Sequence, residues 1–301
     1  VKYAPMAVVL VLCGAWRLWR AGRWRPLLAS LVVPGLAGVG FLVLHQVVYG
    51  GWTVYAAGDH FVGGELDVVG TEPNYPGRSE RIVGLFTDRS FGLVAWAPIF
   101  LASVPALAAL VRRRPAGWDL LVLPLGAGWL VATFVALTMQ GFWWPGRQVV
   151  VVVPCLVLAT TWWAGGQWAE GRFQRRTTGV PWAWVPWVSA TVFGLVAWTW
   201  LVVVGWQERI TLVFDFAGTG NPVVRAWRQA LPELRSEALG AATLTVAWYL
   251  VFAALAWWGW RSAPKDPAAG RSALGDEDAG AGEGTDAHVT ALDLDGGGAV
   301  G

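Results

Sequence analysis

Lysine is nearly absent from this 301-residue chain, which has only Lys2 and Lys265, and cysteine stops at two, Cys13 and Cys155. Both cysteines lie inside apolar runs, so they support neither a disulfide framework nor a zinc site, each of which needs a spaced set of ligands. Charged residues make up only 14% of the chain, against roughly 25% in soluble domains. That deficit excludes an ordinary water-soluble core. The apolar runs hold almost nothing ionisable beyond His45, with Asp119 at one edge. Ion-coupled transporters place costly charges at mid-membrane, so this absence argues against one. The net charge of +2 hides an acidic tail, residues 262–301, at about −6 and a remainder at about +8. Neither balance implies nucleic-acid binding.

What the chain does have is 23 tryptophans and long hydrophobic runs separated by blocks of arginine. Seven spans are expected, at about 3–18, 27–48, 91–111, 119–139, 148–164, 182–206 and 240–260. Each is near the length a helix needs to cross a hydrocarbon core. Helices are required because lipid offers no partner for backbone polar groups. The expected fold is therefore an all-α polytopic transmembrane bundle over residues 1–261, followed by a disordered, acidic, Gly/Ala-rich tail over 262–301.

Loops 17–26, 112–118 and 165–179 hold ten Arg in 32 residues, whereas 49–90, 140–147 and 207–239 hold eight in 83. Arginine-dense short loops stay cytoplasmic, so the first set is read as inner, the tail as cytoplasmic, and the second set as an extracytoplasmic loop region. The expected location is the cell membrane. Val1 then falls outside, and further helices are expected before it. Tryptophan pairs at span ends, such as Trp162 with Trp163, read as interfacial anchors. His45 reads as a packed or snorkelling histidine one turn from the outer end of its helix. Residues 223–239 read as an amphipathic helix on the outer interface, with Val224, Trp227 and Leu231 on its apolar face and Arg225 and Arg228 elsewhere on the wheel.

Chemistry is sought in the outer loops. The 49–90 loop carries Asp59, His60, Glu72 and Asp88 beside Arg89, an oxygen-rich set able to hold a divalent cation or to position an acceptor hydroxyl. Arg147 sits in the turn Gly141-Phe142-Trp143-Trp144-Pro145-Gly146-Arg147. An outer arginine flanked by Trp143 and Trp144 can clamp a phosphate with its planar fork while indoles stack on a sugar or an isoprenoid. Arg89 and Trp96, in Asp88-Arg89-Ser90-Phe91-Gly92-Leu93 and Trp96-Ala97-Pro98, form the second such stretch.

With Lys2-Tyr3-Ala4-Pro5, the 84–98 stretch and Trp144-Pro145-Gly146-Arg147, the chain resembles bacterial integral-membrane glycosyltransferases of the GT-C superfamily, over residues 1 to about 165. The resemblance implies inverting transfer of a sugar from a polyprenyl-phosphate donor to an extracytoplasmic glycan, lipid or protein acceptor. In that superfamily the catalytic carboxylate lies in the first outer loop, here expected upstream of Val1, with Asp59 or Asp88 as substitutes. Donor contacts fall to Arg147, Arg89, Trp143, Trp144, Trp96, His60 and Glu72; no dedicated metal site is assigned. The alternative class is a non-enzymatic polytopic protein that binds a lipid carrier or serves as an assembly subunit.

Overall fold

A computed structural model describes residues 3–52, 75–135, 146–169, 185–210, 221–234 and 239–263. Helices α1 (Ala4–Arg20) and α2 (Trp24–Tyr49) are joined by a turn in which Gly22 takes φ +67°. Two short helices follow, α3 (Tyr75–Ser79) and α4 (Arg81–Thr87), then the Asp88–Gly92 turn and α5 (Leu93–Trp96). A 3-10 turn at Pro98–Ala102 leads into α6 (Ser103–Arg113), and α7 (Trp118–Leu130) closes on a π-helical turn at Val131–Val135. Helices α8 (Val153–Ala169), α9 (Val185–Trp206), α10 (Pro222–Arg228) and α11 (Leu239–Arg261) complete the described elements.

The protein is an all-α helical membrane bundle. Among the described residues, five segments are long and apolar enough to cross a membrane: Trp24–Tyr49, Trp118–Val135, Val150–Ala169, Val185–Trp206 and Ala242–Arg261. Their faces are largely unburied, with Val33, Leu36, Val47, Leu195 and Leu250 all exposed. In water such a surface would aggregate; in lipid it is the favourable one.

The expected 91–111 span is not one helix. Pro98 has no N–H to donate and disfavours helical geometry at the residue before it, and Ala97 accordingly sits at φ −139°, ψ 78°. The segment is therefore built as α5, a 3-10 turn and α6. The 223–239 helix is also corrected. It stops at Arg228, and its apolar residues Val224 and Leu231 are buried in a core cluster with Ala95, Trp96 and Trp248 rather than laid on an interface. Arg228, placed by periodicity off the apolar face, is 7% exposed.

Contacts define two ends of the bundle. At one, Arg17 of α1 pairs with Asp119 of α7 at 2.9 Å, and α6 ends beside α11, where Arg113 Nη2 donates to Ala263 O at 3.1 Å. At the other, the Tyr3 hydroxyl donates to Arg147 O and Gln148 O at 3.4 and 3.3 Å, and Arg78 Nη1 donates to Phe134 O at 2.6 Å. Among the described residues, Arg17 and the Arg112–Arg113 pair thus lie toward one end, and Arg78 and Arg147 toward the other. The Arg17 side chain is 42% exposed, and exposed pairs are worth about 0–1 kcal/mol. Arg17→Ala is accordingly expected to cost about 0.5 kcal/mol in thermal unfolding.

Tryptophan serves packing, and Trp163, expected at the interface, is buried. Trp96, Trp129, Trp163 and Trp248 are buried, whereas Trp206 and Trp24 are exposed. Trp163 meets Trp258 edge-on at 5.1 Å, and Trp187 stacks on Trp258. His45 is packed between the rings of Phe41 and Tyr49, its Nδ1 3.3 Å from Gly51 O. Ser262 and Ala263, expected to open the tail, are instead packed against the bundle, and the rest of the acidic tail lies outside the described residues.

Candidate functional site

The end of the bundle that holds Arg78 and Arg147 is organised around Asp88. This residue follows α4, and its Oδ1 accepts from Ser90 N and Phe91 N, both at 2.9 Å. Asp favours such a turn because its short side chain reaches backbone amides two and three residues on. Gly92 N donates to Asp88 O at 2.8 Å and closes the turn. A Cβ on Gly92 would lie 2.5 Å from Phe86 O and 2.6 Å from Asp88 N and O. Only glycine fits there.

The 221–234 segment is stitched across this turn. Asn221 caps α10, accepting from Val223 N and Val224 N. Arg228 donates from Nε to Arg89 O and from Nη2 to Ser90 Oγ at 3.2 Å. Trp227 Nε1 donates to Val94 O, and Trp248 Nε1 to Ala230 O, each at 2.8 Å. Arg89 N donates to Pro232 O at 2.9 Å, and Leu234 N donates to Asp88 Oδ2 at 3.2 Å. One carboxylate thereby joins two chain segments 146 residues apart in sequence.

The Arg89 guanidinium is directed inward along this seam. Its Nε and Nη2 donate to Leu231 O at 3.3 and 3.2 Å, and Nη1 pairs with Glu233 Oε2 at 3.2 Å. Three of its five N–H groups face protein. The Asp88 carboxylate, 1% exposed, is spent on three amides. Burial pushes its pKa above the usual carboxylate range, and Glu233 adds in the same direction, against the lowering effect of the three amide bonds. In this conformation both residues hold the loop together.

Arg147 is placed differently. Gly146 takes φ +72° and donates its N–H to Phe91 O at 3.1 Å, which ties the start of the 146–152 turn to the Asp88 loop. Arg147 comes next and its side chain is exposed, with its carbonyl taken by Tyr3. Trp96 is 8% exposed and packs in a cluster with Ala197 and Leu201, which makes it a support beneath the loop. Asp59, His60, Glu72, Trp143 and Trp144 lie outside the described residues. Among the described residues, no three His, Cys, Asp or Glu gather as metal ligands.

The fold thus brings together Tyr3, Phe91 with Leu93, and Gly146 with Arg147. It adds Arg228, Trp227, Leu231 and Glu233, which were read as parts of a surface helix. Asp88-Arg89-Ser90 carries the local signal of an Asp turn; nothing in sequence pairs Arg228 with Arg89 O. No protein-family model, curated protein or solved structure matches the chain.

Proposed function

We propose that this chain is a membrane glycosyltransferase, or the C-terminal part of one, that takes its sugar from a polyprenyl-phosphate donor. The observation carrying this reading is the convergence of three separated stretches of the resemblance, Tyr3, Phe91–Leu93 and Gly146–Arg147, at one end of the bundle. Arg147, exposed there on an anchored turn, would hold the donor phosphate with charge-assisted hydrogen bonds. In the reaction the acceptor hydroxyl attacks the anomeric carbon, the bond from that carbon to the phosphate oxygen breaks, and the carrier leaves as its phosphate. The hydroxyl proton passes to a carboxylate base. Asp88 is a poor choice for that base, because its oxygens are occupied and shielded from solvent.

The occupied Asp88 favours a second reading, in which the same end binds a lipid-linked sugar or phosphate without transferring it. Radiolabelled polyprenyl-phosphate sugar offered to the full chain in proteoliposomes separates the two: a glycosylated acceptor supports the enzyme, and saturable retention without product supports the binder. Arg147→Ala is expected to weaken donor retention about thirtyfold, the equivalent of one charge-assisted contact of roughly 2 kcal/mol. Retention equal to the unsubstituted protein would remove Arg147 from the site.

A further inference from the structure

Helices α6 and α11 finish side by side at the end that holds Arg17. Arg112 Nη1 donates to Trp260 O and Arg113 Nη2 to Ala263 O. Arg112 lies over the Trp260 ring at 5.7 Å, Arg114 over Trp118 at 5.3 Å, and Arg261 over Trp257 at 4.3 Å. All four guanidinium-bearing residues are exposed. Among the described residues no carboxylate pairs with them, and Asp119, close by in sequence, is taken by Arg17. Two helix C-termini supply about one negative charge between them. Among the described residues, about three positive charges remain unanswered.

Next to this cluster is a cavity of about 240 Å³, bounded by Ile99, Thr160, Trp163, Ala164, Trp187 and Val188 among others. Its two threonine hydroxyls, on Thr160 and Thr191, donate to Leu156 O and Trp187 O within their own helices. The walls therefore offer little to hold water, and a site without polar partners stays dry or takes hydrocarbon. Its volume is below the roughly 300–1,000 Å³ of drug-sized sites and suits one linear chain. It opens sideways, since Val188 and Val192 on its α9 wall are 54% and 52% exposed. Trp163, which bounds the cavity, meets Trp258 at 5.1 Å, and Trp258 is adjacent in sequence to Trp257 and two residues before Trp260. Trp163 also packs in one cluster with Leu110 and Ala263, whose carbonyl accepts from Arg113, and this places the apolar slot beside one of the cations.

We propose that this end of the bundle is a binding site for an anionic phospholipid, with one acyl chain in the α8–α9 cavity and the phosphate on Arg112, Arg113 and Arg261. Charge complementarity selects the headgroup, and the dry, laterally open slot selects a lipid over a soluble phosphate. The inference is independent of the proposed transfer reaction, whose residues lie at the other end.

The test is native mass spectrometry of the full chain released from nanodiscs containing equal phosphatidylglycerol and phosphatidylcholine. The unsubstituted chain is expected to retain phosphatidylglycerol preferentially. Replacing Arg112, Arg113 and Arg261 together by Gln is expected to lower that preference about a hundredfold, from the attraction of each interfacial cation for anionic lipid, while replacing Arg20, Arg23 and Arg25 by Gln leaves most of it. Thr191→Phe, which fills the slot with the cations intact, is expected to lower retention as well, with thermal unfolding used to confirm that each variant is folded. Equal retention of the two lipids, an equal loss in the Arg20/Arg23/Arg25 variant, or displacement of the lipid by inorganic phosphate would each overturn the proposal.

Discussion

Asp88→Ala is expected to lower the stability of the bundle by about 3–9 kcal/mol, because each shielded donor deprived of its partner costs roughly 1–3 kcal/mol. Three amides lose their acceptor at once: Ser90 N, Phe91 N and Leu234 N. Water cannot replace the carboxylate without opening the turn, since Asp88 is 1% exposed. Asp88→Asn separates charge from hydrogen bonding. Its carbonyl can still serve Ser90 and Phe91, but its NH2 would face Leu234 N–H, and a loss of about 1–2 kcal/mol follows from that single mismatch. Denaturant unfolding of the reconstituted protein, followed by tryptophan fluorescence, would rank the variants. Equal stability of the Ala variant and the unsubstituted chain would show that the turn holds without its carboxylate.

The same residue sets a pH dependence of definite sign. Burial raises the folded-state pKa of Asp88 above its unfolded value, so the folded state binds the extra proton more tightly. Its contribution is most favourable below the unfolded pKa, near 4, and declines as pH rises through the folded pKa. Stability should therefore fall between about pH 4 and the folded pKa in the unsubstituted chain, and Asp88→Asn should flatten that slope. A slope that survives the substitution would assign it to another group.

Gly259→Ala is expected to cost about 3 kcal/mol, at the upper end of overpacking penalties. Helices α6 and α11 make the most extensive helix pairing in the bundle. A Cβ on Gly259 would overlap the Pro105 backbone at its oxygen, Cα and carbonyl carbon. Backbone cannot rotate away as a flexible side chain can, so the helices must separate. Small residues allow such close approach in membranes, where dispersion contacts replace the hydrophobic drive between helices. Gly126→Ala is the matched control, because a Cβ there meets nothing within 4 Å and alanine gains about 0.5–1 kcal/mol of helix propensity. A smaller loss at Gly259 than at Gly126 would contradict the packing argument.

The spans were legible wherever a long apolar run stood alone, as in α2, α9 and α11. They were misread where a local rule competed with hydropathy. Pro98 breaks a run that hydropathy counts as continuous, and its effect on Ala97 is a backbone constraint that a sliding average does not register. The 222–234 segment failed for a different reason. A 3.6-residue period marks which side of a helix is apolar and leaves open whether lipid or protein covers it. Arg228 shows the consequence, since a charged residue off the apolar face proved to be buried against Arg89 O and Ser90.

At the candidate site, residue types were readable and their employment was not. Asp88 and Arg89 share the chemistry of a base and a phosphate clamp, yet their partners come from residues 231–234. Hydrogen bonds of that separation leave no trace in local spacing. Arg147 differs only in where its chain is tethered, through Gly146 to Phe91 and through its own carbonyl to Tyr3.

Composition and arginine spacing by themselves determined that this is a helical membrane protein with two chemically distinct ends, because hydrocarbon requires helices and concentrates charge where they stop. Tertiary structure alone decided which charges are buried in the protein and which are exposed. Asp88, Arg89 and Arg228 are absorbed in one seam, while Arg147 at one end and Arg112, Arg114 and Arg261 at the other are exposed. That division follows from long-range packing, in which a buried polar group must find a partner wherever in the chain the fold supplies one.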